Sequence, residues 1–286
     1  MRVFARLRTY LSFVRVSHSV FALPFALVGA LLASRYEALT WQRVLWIVVA
    51  MVSARSAAMA FNRIVDARFD ALNPRTAMRE IPRGALSSIE ASLFLAVTTG
   101  IFVYAAWRLG PLCLALSPLA LAIVFWYSLA KRYTWATQFF LGLALAVAPV
   151  GGWIAAAGPV AWEPVLLALA IGTWVAGFDI LYACQDLQFD RVHGLHSIPV
   201  RYGIRTSLHV SRSLHVVAVL FLAWLGVVSH LGAIYFAGVI AVGALLTYEQ
   251  SLVSIDDLSQ VKRAFDLNGY VGILYLLTTV VALYVH

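Results

Sequence analysis

Apolar residues in this chain run in long unbroken blocks, separated by short polar interruptions, rather than at the one-in-three-or-four spacing of a soluble surface helix. Uncharged blocks occupy residues 16–34, 44–54 continuing toward 61, 91–107, 112–129, 133–162, 164–178, 213–248 and 267–286. Most approach the ~20 residues that carry a helix across the hydrocarbon core of a bilayer. The block 133–162 holds one helix, over 137–157, because Gly158-Pro159 marks a loop. The block 213–248 is too long for one crossing and suits two, with Ser229-His230-Leu231-Gly232 as the turn between them. The pattern predicts an all-α, polytopic membrane protein. About nine transmembrane helices form a single domain over residues 1–286.

Composition agrees, since 62% hydrophobic and 12% charged residues lie outside the range of soluble globular domains. The formal charge of +8 is not spread evenly. With nine alternating crossings, seventeen of the 21 lysines and arginines fall on one side. Arg35, Arg43 and Arg108 fall on the other, and Arg55 lies within a span. The positive-inside rule makes the richer side, which includes the N-terminus, cytoplasmic. Topology and anionic headgroups of the surrounding lipid bilayer account for this charge, and no nucleic-acid-binding pattern is present. Residues 1–10 are basic like the start of a signal peptide, but no clear small-residue cleavage site follows and the chain keeps spanning, so the first helix is retained. Cys113 and Cys184 have neither disulfide nor metal spacing and read as packing residues. Small-residue runs such as 142–148 can pack helices within or between chains, which leaves oligomeric state open.

The chemistry lies in two polar clusters on the cytoplasmic side. Asn62, Asp66 and Asp70 follow one another at spacings of four, and Asp179, Asp186 and Asp190 at seven and four. Those spacings place each set on one face of a helix. Such paired stripes suit a divalent metal and diphosphate, because magnesium takes one or two carboxylates beside phosphate oxygens and water. Interfacial ion pairs, for instance with Arg63 or Arg68, are the alternative for the first cluster. Asp179 ends an uncharged run, where a carboxylate costs roughly 2.5–3.5 kcal/mol and usually faces a functional cavity. Arg55 follows eleven uncharged residues and lies seven before Asn62. It is either a counter-ion for a carboxylate such as Asp179 or a fork for an acidic substrate group. Arg79 and Glu80 can pair across the loop that follows residue 70. His193 and His196, three apart beside Gly194, read as loop residues rather than zinc ligands.

These residues carry a resemblance. Asn62-x-x-x-Asp66-x-x-x-Asp70, with FDILYACQDLQFDRVHGLHSIPVRYG at 178–203, resembles the paired aspartate-rich signatures of the UbiA family of intramembrane prenyltransferases. SHSVFALPFALVGALLA at 17–33, WYSLAKRYT at 126–134 and LGLALAVAPVGGWIA at 141–155 also look like its segments. Arg63 stands where many members carry a second acid. The Asn-Arg pair resembles the branch acting on hydroxybenzoate-like acceptors. NPRTAMREIPRG at 73–84 is most similar to bacterial members that make ubiquinone from 4-hydroxybenzoate, or menaquinone from a dihydroxynaphthoate by the futalosine route.

The resemblance implies transfer of a polyprenyl group from polyprenyl diphosphate to an aromatic acid. Magnesium would be held by Asn62, Asp66, Asp70, Asp186 and Asp190, around a central cavity open to the cytoplasmic side of the inner membrane. It implies diphosphate contacts from Lys131 and Arg132, with Arg75, Arg79 and Arg201 as further candidates. Arg55, Asp179, Tyr182 and Tyr127 would face the acceptor, and no organic cofactor is implied. The loop after residue 70 is expected to close over diphosphate and exclude water. The competing class is an ion-coupled secondary transporter, which also carries inward Asp and Arg but places them near the membrane midplane.

Overall fold

The computed structural model describes residues 2–14 and 22–285, and every regular element among them is helical. An amphipathic helix α1 (Arg2–Phe13) precedes the short apolar α2 (Leu23–Ala33). Then follow α3 (Trp41–Leu72), α4 (Ser88–Leu109), α5 (Pro111–Ala130), α6 (Thr137–Ala155) and α7 (Glu163–Ala183). A 3-10 turn (Cys184–Asp186) leads into α8 (Leu187–Val192), and α9 (Ile198–Val228), α10 (Ala233–Ser251) and α11 (Val261–Tyr284) complete the bundle. Among the described residues, eight helices are long and apolar enough to cross a membrane, with the stretch from α7 to α8 counted as one. The ninth predicted crossing corresponds to α2, and residues 16–21 of that block lie outside the described residues.

Local signals fix the helix ends. Ser87 and Glu90 form a reciprocal capping box at the start of α4. Thr40 accepts from the Arg43 amide at α3, and Ser197 from the Val200 amide at α9. Gly110, at φ 135°, turns α4 directly into α5, a backbone angle that residues with a Cβ rarely adopt. The predicted turn at 229–232 separates α9 from α10, with His230 at φ 50°. Gly203, at φ 77°, breaks α9 near its start.

Helix crossings close through small residues. A Cβ on Gly152 would lie 2.0 Å from the Ala26 carbonyl oxygen, and one on Gly29 would lie 2.1 Å from that of Pro149. On α6 and α7, a Cβ on Gly142 would stand 2.3 Å from the Gly172 carbonyl oxygen. Backbone-to-backbone approach of this kind lets membrane helices gain packing energy without a hydrophobic driving force. α6 is thereby wedged between α2 and α7. The core beside it is aromatic: Phe25, Trp174, Tyr235 and Tyr275 are all buried. Its polar tips are satisfied, Trp174 Nε1 donating to Asn268 Oδ1 at 2.7 Å and the Tyr235 hydroxyl bonding that of Tyr275 at 2.8 Å. Outward faces carry Ile89, Leu93 and Val97 on α4 and Leu220 and Trp224 on α9, as a lipid-facing surface requires.

Candidate active site

The first acidic cluster sits on one continuous helix. α3 extends well past its apolar block, so Asn62, Asp66 and Asp70 share one face of its last three turns. Asp66 and Asp70 are buried, although each carries a formal charge. Asp66 accepts from Arg132 at 2.9 Å and from Asn62 Nδ2 at 3.2 Å, and Lys131 approaches to 3.5 Å. Arg132 also donates to the Val65 carbonyl at 2.6 Å, which locks the end of α5 against α3. Asp70 is held through both oxygens by Arg79 Nη1, at 2.6 and 2.8 Å. Its partner is therefore Arg79, not the neighbouring Arg68, which is exposed.

The second cluster departs from the expected single stripe. Asp179 lies in α7, Asp186 closes the 3-10 turn and Asp190 lies in α8. A 3-10 turn has 3.0 residues per turn against 3.6, so it rotates the last two acids relative to Asp179. Asp186 is gripped from the first loop by Arg75, with Nε at 3.0 Å and Nη2 at 2.6 Å, and by Asn73 Nδ2 at 3.3 Å. The turn that aims Arg75 is local: the Asn73 side chain accepts from the Arg75 amide at 3.0 Å, bending the chain back at Asn-Pro-Arg. Arg75 also donates to the Tyr182 hydroxyl at 2.7 Å. Burial lowers the pKa of Arg75, but the nearby Asp186 and Tyr182 outweigh it, so the guanidinium is held above its ordinary value.

Asp190 is buried, and no donor among the described residues reaches its carboxylate, although Lys131, Asp186, Arg75 and Asp66 all lie within its electrostatic reach. The two clusters thus meet in one site. Asp66, Asp70, Asp186 and Asp190 face Arg75, Arg79, Lys131 and Arg132, a formally balanced set of four and four.

Deeper in the bundle, Arg55 on α3, Tyr127 on α5 and Asp179 on α7 are each half-buried. Tyr127 has Arg55, Asp66 and Asp179 within electrostatic reach. The counter-ion alternative for Arg55 fails: no carboxylate among the described residues pairs with it, and its Nε is buried without an acceptor. Tyr182 packs on Phe265 at 4.7 Å between ring centroids, which joins the acidic mouth to the aromatic wall of α7 and α11.

Two expectations change. Arg201 is exposed and stacks over Trp135 and Tyr202, each at 5.4 Å, and makes no ion pair with either cluster among the described residues. Arg79 does not pair with Glu80. It turns inward to Asp70, and Glu80, buried, accepts instead from Ser12 of α1 at 2.6 Å. Asn73 was not anticipated as a site residue; its only signal is an Asn-Pro step directly after a long helix. His193 caps locally, its ring 2.9 Å from the Phe189 carbonyl and stacked on Phe189.

No three acids, histidines or cysteines among the described residues form a ready metal cage. The hard oxygen donors nevertheless fit magnesium, and the buried Asp190 carboxylate without a donor is a ligand in waiting.

The model of the UbiA prenyltransferase family matches residues 22–277. The chain belongs to that family. The 4-hydroxybenzoate octaprenyltransferase of Vibrio vulnificus is 31% identical to it over 243 residues, covering 85% of each chain. That of Citrobacter koseri is 30% identical over 82% of each. The apo structure of a UbiA homolog from Aeropyrum pernix K1 superposes with a TM-score of 0.85 at 36% identity, covering 92% of this chain and 97% of that one. A UbiA homolog from Archaeoglobus fulgidus bound to GPP and Mg2+ shares the fold, at a TM-score of 0.74 and 18% identity, covering 97% and 100%. This UbiA chain is an integral membrane prenyltransferase, and the transporter alternative is set aside.

Proposed function

We propose that the chain transfers a polyprenyl group from polyprenyl diphosphate to a ring carbon of an aromatic acid, 4-hydroxybenzoate or a dihydroxynaphthoate, in quinone biosynthesis. The supporting observation is the meeting of two acidic clusters whose charges are matched by cations able to change partners. The relatives named 4-hydroxybenzoate octaprenyltransferase, and the homolog bound to GPP and Mg2+, support the same reading.

Asn62, Asp66, Asp70, Asp186 and Asp190 would hold magnesium. When bound, it would supply a Lewis acid that neutralises charge growing on the leaving diphosphate. Arg75, Arg79, Lys131 and Arg132, which now pair with these carboxylates, would bind diphosphate oxygens when the acids hold the metal, so that no charge would be left buried and unpaired. The allylic carbon–oxygen bond breaks with its electron pair on diphosphate, the ring carbon attacks the allylic cation, and the ring proton is then lost. Arg55 would fork onto the acceptor carboxylate, while Tyr127 and Tyr182 present electron-rich faces to the cation. Asp179 would orient the acceptor hydroxyl or take the ring proton. Asn73 and Arg75 tie the first loop across the mouth, where a closed loop keeps water from quenching the cation.

Charge bias supports the acidic mouth and the N-terminus being cytoplasmic, at the inner membrane. The test is turnover by purified protein with magnesium, a long polyprenyl diphosphate and each acid in turn. Prenylated product with equimolar diphosphate is expected from one of the two, and consumption of neither would end the proposal.

A further inference from the structure

Away from the acidic site, the outer side of the α9–α10 pair contains a groove of about 540 Å³. Val216, Val219 and Leu246 line its apolar length, and Gly243 leaves it open: a Cβ there would only touch Val219 at 3.7 Å. Arg212 and Gln250 form its polar end, at the level where α10 stops. Gln250 is nine-tenths buried and fixed by Nε2, which donates to Ser211 Oγ at 2.7 Å, so this end is rigid.

Charge continues the groove outward. Arg205, His209 and Arg212, at spacings of four and three, are all exposed and share one face of α9, and Val216 follows four residues later on the same face. Neither arginine forms an ion pair with any described residue. The surface is therefore cationic at one end of the groove and apolar along its length. A guanidinium matches phosphate geometry, and an apolar groove facing lipid gains dispersion energy when a chain fills it.

We propose that this groove binds one anionic glycerophospholipid, its phosphate on Arg212 and one acyl chain along Val216, Val219 and Leu246. The cationic stripe selects against zwitterionic headgroups, whose ammonium would face it.

The test is native mass spectrometry of the delipidated full-length protein with equimolar phosphatidylglycerol and phosphatidylcholine, and separately with glycerol 3-phosphate. One retained phosphatidylglycerol is expected, favoured over phosphatidylcholine by about fivefold per guanidinium engaged. Arg212→Gln should bring the two lipids to parity, and Gly243→Leu, which fills the groove, should lose both. Monodisperse elution and unchanged prenyl transfer of both variants check that the fold is intact. Equal retention of the two lipids by the unaltered protein would overturn the proposal. So would undiminished phosphatidylglycerol on Arg212→Gln, or its displacement by equimolar glycerol 3-phosphate.

Discussion

Replacing Arg55 with glutamine should make the protein more stable and less able to hold its acceptor. The guanidinium stands in the middle of α3 with no carboxylate partner, and its Nε is buried without an acceptor. An unsatisfied buried donor costs about 1–3 kcal/mol, a penalty that glutamine, a comparably good helix former, largely removes. Taking about 1–2 kcal/mol as recovered, the unfolding midpoint in detergent should rise by about 2–8 °C. The acceptor carboxylate loses a charged fork worth about 1.5–3 kcal/mol, so its KM should rise about 10- to 150-fold. KM for the prenyl diphosphate should stay within about twofold, since Arg55 lies away from the acidic mouth. Steady-state kinetics varying each substrate, with a thermal melt of the same preparations, reads all three quantities. A lower melting point together with equal rises in both KM values would mean that Arg55 is a structural counter-ion, and would refute the reasoning.

Other outcomes follow from the same contacts. Asp66→Asn and Asp186→Asn should each lower kcat/KM by about 10²–10³-fold at saturating magnesium, measured as diphosphate release. Arg75→Ala frees the first loop from Asp186 and Tyr182, and should raise the ratio of diphosphate hydrolysis to prenylated product; equal loss of both would exclude a closing role for the loop. Gly152→Ala must push α6 from the Ala26 carbonyl, and overpacking of this kind should cost about 1–3 kcal/mol in a denaturant titration without changing KM for either substrate.

The reach of the sequence differs from element to element. Asp66 and Asp70 were legible because spacings of four keep one face on an unbroken helix, and α3 is unbroken. The second cluster was legible as residues but not as geometry, since nothing in CQDLQFD announces the 3-10 turn that rotates Asp186 and Asp190 away from the line of Asp179. The α9–α10 turn was visible in the length of its apolar block. The start of α9 was not, because residues 198–212 are polar enough to read as loop, yet Ser197 caps a helix there. Ion-pair partners were the weakest part. The sequence allows Arg79 to pair with its neighbour Glu80, whereas α1 supplies Ser12 for Glu80 and Arg79 goes to Asp70. That choice depends on a contact 68 residues distant in the chain, which no local pattern contains. Arg201 shows the converse: a cation at a plausible sequence distance stacks on two aromatic rings instead of pairing with an acid.

The central claim is that both acidic clusters act on one diphosphate through metal. The direct measurement is calorimetric binding of a non-ionisable polyprenyl diphosphate analogue, with and without magnesium, to the unaltered protein, to Asp66→Asn and to Asp186→Asn. Magnesium should tighten binding to the unaltered protein, and either substitution alone should abolish most of that gain. Full magnesium-dependent binding by either variant would contradict the account.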